Sequence, residues 1–172
     1  MEIIMDRDNI KLVNVNTKNF DDLVDLEVNE DQKEYVADNC YSLAEAYATN
    51  AEGEGAAMPF GIYDGETPVG FLMIGYNICD DWDDEILDFS INSYLIWRFM
   101  IDKKYQDEGY GRAAMKLALD YIKTFPCGKT EWCWLSYEPE NEVAKKLYSS
   151  FGFVERPDFY KEGDEMPAVL EL

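Results

Sequence analysis

The chain has 172 residues, 47% of them apolar and 15% aromatic, and 15 Lys plus Arg stand against 36 Asp plus Glu for a formal charge of −21. That length and composition fit one domain, 1–172, with a sizeable core, and exclude a disordered chain. So negative a surface repels phosphate backbones and anionic membranes, which speaks against nucleic-acid and membrane partners. Ile10 to Val15 alternates weakly and is β-branched, predicting a first strand. Asn19 precedes Phe20, Leu23 and Val24, with Asp21 and Asp22 where a helix start favours negative charge. Ser42-Leu-Ala-Glu45 reads as a capping box opening a second helix that runs to about Thr49. Glu52-Gly-Glu-Gly-Ala then reads as a flexible connector. Phe60 to Tyr63 and Val69 to Gly75 flank Asp64-Gly65 in a hairpin pattern. Asn77 to Ser90 is an acidic loop or excursion, holding Asp80, Asp81, Asp83, Asp84, Glu85 and Asp88 without a basic residue.

Tyr94 to Ile101 has the character of a buried strand and is followed by a loop, Asp102 to Gly109. Met115, Ala118, Leu119 and Ile122 fall at i, i+3, i+4 and i+7, which predicts an amphipathic helix. Glu131 to Ser136 is strand-like. Ala144, Leu147, Tyr148 and Phe151 repeat the helical spacing, and Gly152 suits the end of that helix. Phe153-Val154 and Ala168 to Leu170 supply closing strands. The pattern is that of one α/β domain.

Histidine is absent. Ser-His-Asp and Cys-His nucleophile systems and His-ligated metals are therefore excluded, and no metal site is expected. Cys40, Cys79, Cys127 and Cys133 form no C-x-x-C pair, and nothing in Met1 to Asp8 reads as a secretory signal. They are expected as reduced core or half-buried thiols in a cytoplasmic protein.

The segment that carries chemistry is Gln106-Asp-Glu-Gly-Tyr-Gly111-Arg112, set between an apolar strand and an amphipathic helix. Gly109 and Gly111 permit close backbone approach, and free amides at a helix start can cradle a pyrophosphate. A plain strand-to-helix turn explains two glycines equally well, and neither nucleotide-binding fingerprint is present. Gln106-x-x-Gly109-x-Gly111 resembles the [Q/R]-x-x-G-x-[G/A] signature of the GNAT superfamily, the acetyl-CoA-dependent N-acetyltransferases. Downstream, Asn141-x-x-Ala144-x-x-Leu147-Tyr148-x-x-Phe151-Gly152-Phe153 is similar to that superfamily's second pattern.

The resemblance implies a mixed, mostly antiparallel central sheet, with a V-shaped splay between two parallel strands and about four flanking helices. It implies acetyl-CoA as co-substrate. Backbone groups of Phe99, Met100 and Ile101 would pair with the pantetheine arm, and amides of Gln106, Asp107, Glu108, Gly109, Tyr110, Gly111 and Arg112 would hold the pyrophosphate. Asn141 would contact the pantetheine, and Tyr148 would protonate the departing thiolate. Asp107 and Glu108 stand where many relatives carry a cation, and Arg112, Lys103, Lys104 and Lys116 are the compensating charges nearby. Relatives are often homodimers.

Within the superfamily the sequence most resembles bacterial spermine/spermidine acetyltransferases, through Leu26 to Val36 and the run Arg98 to Gln106. The resemblance implies a small cationic amine as substrate, with Glu30, Glu34 and Tyr35 bordering its site. A solvated acidic surface accounts for the same charges. Glu138, Glu34 and Asp102 are candidates for a general base, as is a water chain, and none is chosen. The alternatives are another amine (an aminoglycoside or streptothricin-like antibiotic, an amino acid, a protein N-terminus or lysine) or a non-catalytic domain that binds acyl-CoA or polyamine.

Overall fold

The computed structural model describes residues 9–79, 81–82 and 85–172. Its strands are β1 (Ile10–Asn14), β2 (Ala56–Asp64), β3 (Thr67–Tyr76), β4 (Asp81–Trp82), β5 (Glu85–Ile86), β6 (Tyr94–Ile101), β7 (Trp132–Tyr137), β8 (Val154–Glu155) and β9 (Met166–Glu171). The helices are α1 (Phe20–Val24), α2 (Asn39–Glu52), α3 (Tyr110–Ile122) and α4 (Glu142–Ser150). Seven strands form one sheet in the order β1-β2-β3-β6-β7-β9-β8, while β4 and β5 pair separately. Every ladder is antiparallel except that between β6 and β7. Parallel neighbours need a crossover, and α3 makes it.

The β6–β7 ladder is short. Tyr94 faces Cys133 and Leu95 faces Trp134, and there the pairing ends. Beyond it β6 stays registered with β3 as far as Ile101, and β7 with β9 as far as Tyr137. The two strands diverge as the expected V. Ile96 lies opposite Ile74 and Arg98 opposite Met73, so Trp97 is an extra residue in β6, a bulge beside the splay.

Helical periodicity covers both faces. Met115, Ala118 and Ile122 of α3 are fully buried against Leu72, Ile74, Ile96 and Leu135. Each of the two larger side chains contributes about 2 kcal/mol of apolar burial. On the other face Ala46 of α2 packs with Phe71, Met73 and Met100. The acidic stretch is anchored there too, because Leu87 and Phe89 are buried with Leu95, Trp134 and Val169.

Several local expectations shift. The second helix starts at Asn39, with Asp38 as cap accepting from Tyr41 N at 2.7 Å. Ser42 lies inside it, fully buried, and donates to the Asp38 carbonyl at 2.9 Å. Glu45 pairs with Arg98. Asp38 and Ser42 are both good cap types four residues apart, and the Ser-x-x-Glu match points one turn too late. The helix continues to Glu52, which shortens the connector to 53–55. The cysteines are free, with Cys133 buried, but Cys40, Cys79 and Cys127 are exposed rather than half-buried. Met1 to Asp8, Asp80, Asp83 and Asp84 lie outside the described residues. Among the described residues no helix is long and apolar enough to cross a membrane.

Candidate active site

Past Leu95, the edge of β6 that would face β7 has no strand partner, and a cleft of about 580 Å³ opens along it. Backbone groups on such an edge need partners, so an extended ligand carrying amides can complete the ladder. Phe99, Met100 and Ile101 all line the cleft.

One wall is the turn into α3, through Gln106, Asp107, Gly109, Tyr110 and Gly111. Gly109 caps the helix at φ +85°, a conformation that favours glycine. Gly111 is different, since its φ is ordinary. A Cβ built there would meet only Leu147 Cδ2 at 3.8 Å and Ile101 Cγ1 at 3.9 Å. Neither backbone nor packing demands glycine at 111, so what it leaves is room over the first turn of α3. That turn's N–H groups have no preceding helical carbonyls to bond, and with the helix dipole they favour an anion.

The expected cations do not enter this wall. Lys103 is paired with Glu27 at 2.8 Å, Lys116 with Asp120 at 3.0 Å, and Arg112 donates to Ser150 Oγ at 3.2 Å. Neither Arg112, Glu108 nor Glu30 lines the cleft, and Glu30 pairs with Lys33 at 2.6 Å. Asp107 does line it, at φ +61°. The anion-facing surface is therefore built from backbone and empty space.

The second wall is β7 and α4, with Ser136, Tyr137, Asn141, Leu147 and Tyr148. Asn141 caps α4, its Oδ1 accepting from Ala144 N at 3.1 Å, so its NH₂ end is the part left for a ligand. Tyr148 is buried, and its hydroxyl has no hydrogen-bond partner among the described residues. Burial first, then the Glu165 carboxylate, push its pKa above the ordinary phenol value, so it stays protonated.

The third wall is Gln32 and the segment 34–37, with Glu45 and Arg98 deeper. Glu34 and Tyr35 thus reach the cleft. Glu165 joins them from the tail and accepts from Ser136 Oγ. Burial first, then repulsion by Glu165, Glu140 and Glu34, raise the pKa of Glu138. The other sequence candidate for a base is committed elsewhere. Asp102 is buried and accepts from Glu27 N at 3.0 Å and Lys104 N at 2.9 Å.

Sequence reasoning missed Gln32, Glu45, Tyr137 and Glu165. Glu165 follows no periodicity, and it reaches the cleft because β9 pairs Met166 with Tyr137. For Gln32 the charge count carried no signal, since the residue is neutral.

The acetyltransferase (GNAT) family matches this chain over residues 20–153. The spermine/spermidine N(1)-acetyltransferase of Bacillus subtilis (strain 168) is 27% identical over 134 residues, covering 76% of this chain and 78% of that protein. Among solved structures, the spermidine N-acetyltransferase from Vibrio cholerae in complex with CoA and spermine superposes with a TM-score of 0.66 at 19% identity, covering 95% of this chain and 96% of that one. The aminoglycoside acetyltransferase AAC(6')-Ib in complex with coenzyme A gives 0.69 at 15% identity, covering 94% of both. At those identities the two structures speak for the fold.

Proposed function

We propose, from the premise that this chain belongs to the acetyltransferase (GNAT) family, that it moves the acetyl group of acetyl-CoA to a primary amine of spermine or spermidine. The observation that carries the acceptor class is that Glu34 and Glu165 line the cleft from separate segments, with Glu138 behind them, its pKa raised by burial first and then by the charges of Glu165, Glu140 and Glu34. The opposite wall offers neutral amides. Two charges 4 Å apart attract by about 1 kcal/mol in water and about 4 at an effective dielectric of 20, so several such pairs select for a polycation.

The free edge at Phe99, Met100 and Ile101 would take the amides of the pantetheine arm, with Asn141 across from it. The turn 106–112 and the first turn of α3 would hold the diphosphate. The acceptor amine, drawn in as a cation, gives one proton to water and attacks the thioester carbonyl. The C–N bond forms, the C–S bond breaks, and Tyr148 gives its proton to the departing thiolate; the second proton shed by the nitrogen, passed through water, restores the Tyr148 hydroxyl.

Thiol release from acetyl-CoA, measured with spermine, spermidine, an aminoglycoside and a lysine peptide, tests this reading. Polyamines should give the highest kcat/KM, falling as salt rises. Turnover on the aminoglycoside or the peptide with none on polyamines rejects the polyamine reading. Acetyl-CoA binding with no thiol release on any amine rejects the enzyme.

A further inference from the structure

The side chain of Gln106 is fully spent inside the protein. Its Nε2 donates to Gln32 Oε1 at 2.8 Å and to the Ile101 carbonyl at 3.0 Å. Its Oε1 accepts from Gln32 Nε2 and Asn29 Nδ2, each at 3.1 Å. A glutamine amide has two protons to give and one oxygen with two lone pairs, so nothing is left for a ligand. Gln32 Oε1 also accepts from Asn29 N at 3.1 Å. The two side chains form a reciprocal amide pair bridging residues 74 apart in sequence.

This pair joins two walls of the cleft. On the Gln106 side lie Asp107, Gly109 and Gly111, and on the Gln32 side Glu34 and Tyr35. At its flanks the segment is held by Val28 and Val36, packed against Phe71, Met73 and Met100, and by the contacts of Asp102 and Lys103 with Glu27, whereas the 3₁₀ turn Glu30–Gln32 between them has no buried residue. Lys103 N donating to the Glu27 carbonyl at 2.8 Å extends the seam on one side only.

We propose that Gln32 is a positioning residue: its amide pair with Gln106 transmits order from the anion-binding turn to the acceptor wall, so that CoA binding organises residues 29–37. This rests on the assignment of the two walls above, though not on which amine is acetylated. A ligand that immobilises the 106–112 turn removes motion from whatever the turn is bonded to, and coupling of this kind is reciprocal between sites.

Backbone hydrogen exchange on the full chain, with and without saturating CoA, tests it. In the wild type, CoA should slow exchange at 106–112 and also at 29–37, the latter by about fivefold or more. With Gln32→Leu, protection at 106–112 should remain while that at 29–37 is lost. The paired change Gln32→Glu with Gln106→Arg, which rebuilds a two-bond fork, should restore it. A merely structural role would raise exchange at 29–37 with or without CoA and leave the CoA-dependent ratio alone. Equal CoA-dependent protection in wild type and Gln32→Leu, or none in the wild type, overturns the proposal. A failure of the polyamine reading would appear separately, as an absence of polyamine turnover with this coupling intact.

Discussion

Tyr137 and Tyr148 stand side by side in the cleft wall with ring centroids 5.6 Å apart, yet only one of them has a free hydroxyl. Tyr137 donates to Glu155 Oε1 at 2.5 Å, and Glu155 also holds Lys145 at 3.0 Å. Tyr148 Oη has no such partner among the described residues. Burial pushes the pKa of both phenols up, so both are protonated at neutral pH, and only Tyr148 has a proton not already pledged to a carboxylate. Tyr148→Phe should therefore lower kcat by about 100-fold with CoA affinity nearly unchanged. Tyr137→Phe should keep most of the turnover and cost about 1 kcal/mol of stability. Steady-state kinetics, CoA titration and urea unfolding of the two variants check this. Equal loss of kcat in both would take the acid role away from Tyr148.

Gly111→Ala, set beside Gly111→Leu, separates ligand space from protein packing. Its Cβ would make only ordinary contacts with Leu147 and Ile101, and it would sit in the first turn of a helix. Alanine in place of glycine in a helix should leave stability unchanged or raise it by about 0.5 kcal/mol. The signature accepts alanine at this position, so the methyl group should also leave KM for acetyl-CoA within about threefold, whereas the longer side chain of Gly111→Leu fills the room above the amides and should raise it by about tenfold or more. Thermal unfolding and acetyl-CoA kinetics of the two variants read packing and ligand space independently. An unchanged KM in Gly111→Leu would mean that the glycine leaves its space to nothing.

The contrast between Gly111 and Gln106 shows how far sequence carries. The apolar run Tyr94 to Ile101 matches β6 end to end, and the helical spacing of Met115 to Ile122 marks the buried face of α3 but not its first turn, because burial imposes a period on side chains only where they are buried. The splay itself was legible only through a resemblance, since no local pattern says that Leu95–Trp134 is the last pair. Gln106 was legible as a motif position and opaque as a structural part, because its partner, Gln32, is a neutral residue in a segment without periodicity. Likewise the cap at Asp38 lost to a stronger local match at Ser42. Local chemistry can nominate several caps, and only tertiary packing, here the complete burial of Ser42, chooses among them.

The acidic cluster should write itself into the pH dependence of acceptor binding. Burial first, then Glu165, Glu140 and Glu34, raise Glu138 above the ordinary carboxylate value. A cation entering the cluster favours the ionised form and opposes that shift. As pH falls through the raised pKa, Glu138 takes up a proton, negative charge is lost, and KM for a polyamine should rise. That limb should lie on the neutral side of the ordinary carboxylate range. Glu138→Gln should raise KM at neutral pH by about threefold to tenfold and flatten the limb. A KM profile for spermine between about pH 5 and 8, with and without the substitution, reads it. An identical limb in both proteins would place the titrating group elsewhere.

Asp102 carries the opposite expectation, that of a carboxylate whose work is architectural. It is 4% exposed, and its two oxygens accept from Glu27 N and Lys104 N. Its own N–H donates to the Val69 carbonyl at 2.9 Å, and its carbonyl accepts from Tyr105 N at 2.8 Å. It thus ties the end of β6 and the following loop to the chain entering the acceptor wall. Removing the carboxylate takes the acceptor from two part-buried N–H groups, each bond to a charged partner being worth about 1.5–3 kcal/mol before water replaces it, so Asp102→Ala should cost about 2 kcal/mol. Asp102→Asn should also destabilise, because its NH₂ would face one of those donors. Neither change removes a group from the cleft, so kcat per correctly folded molecule, counted by CoA binding at low temperature, should stay within about threefold. A base would behave in the reverse way, with Asp102→Asn stable and inactive, and that pair of results would return Asp102 to the chemistry.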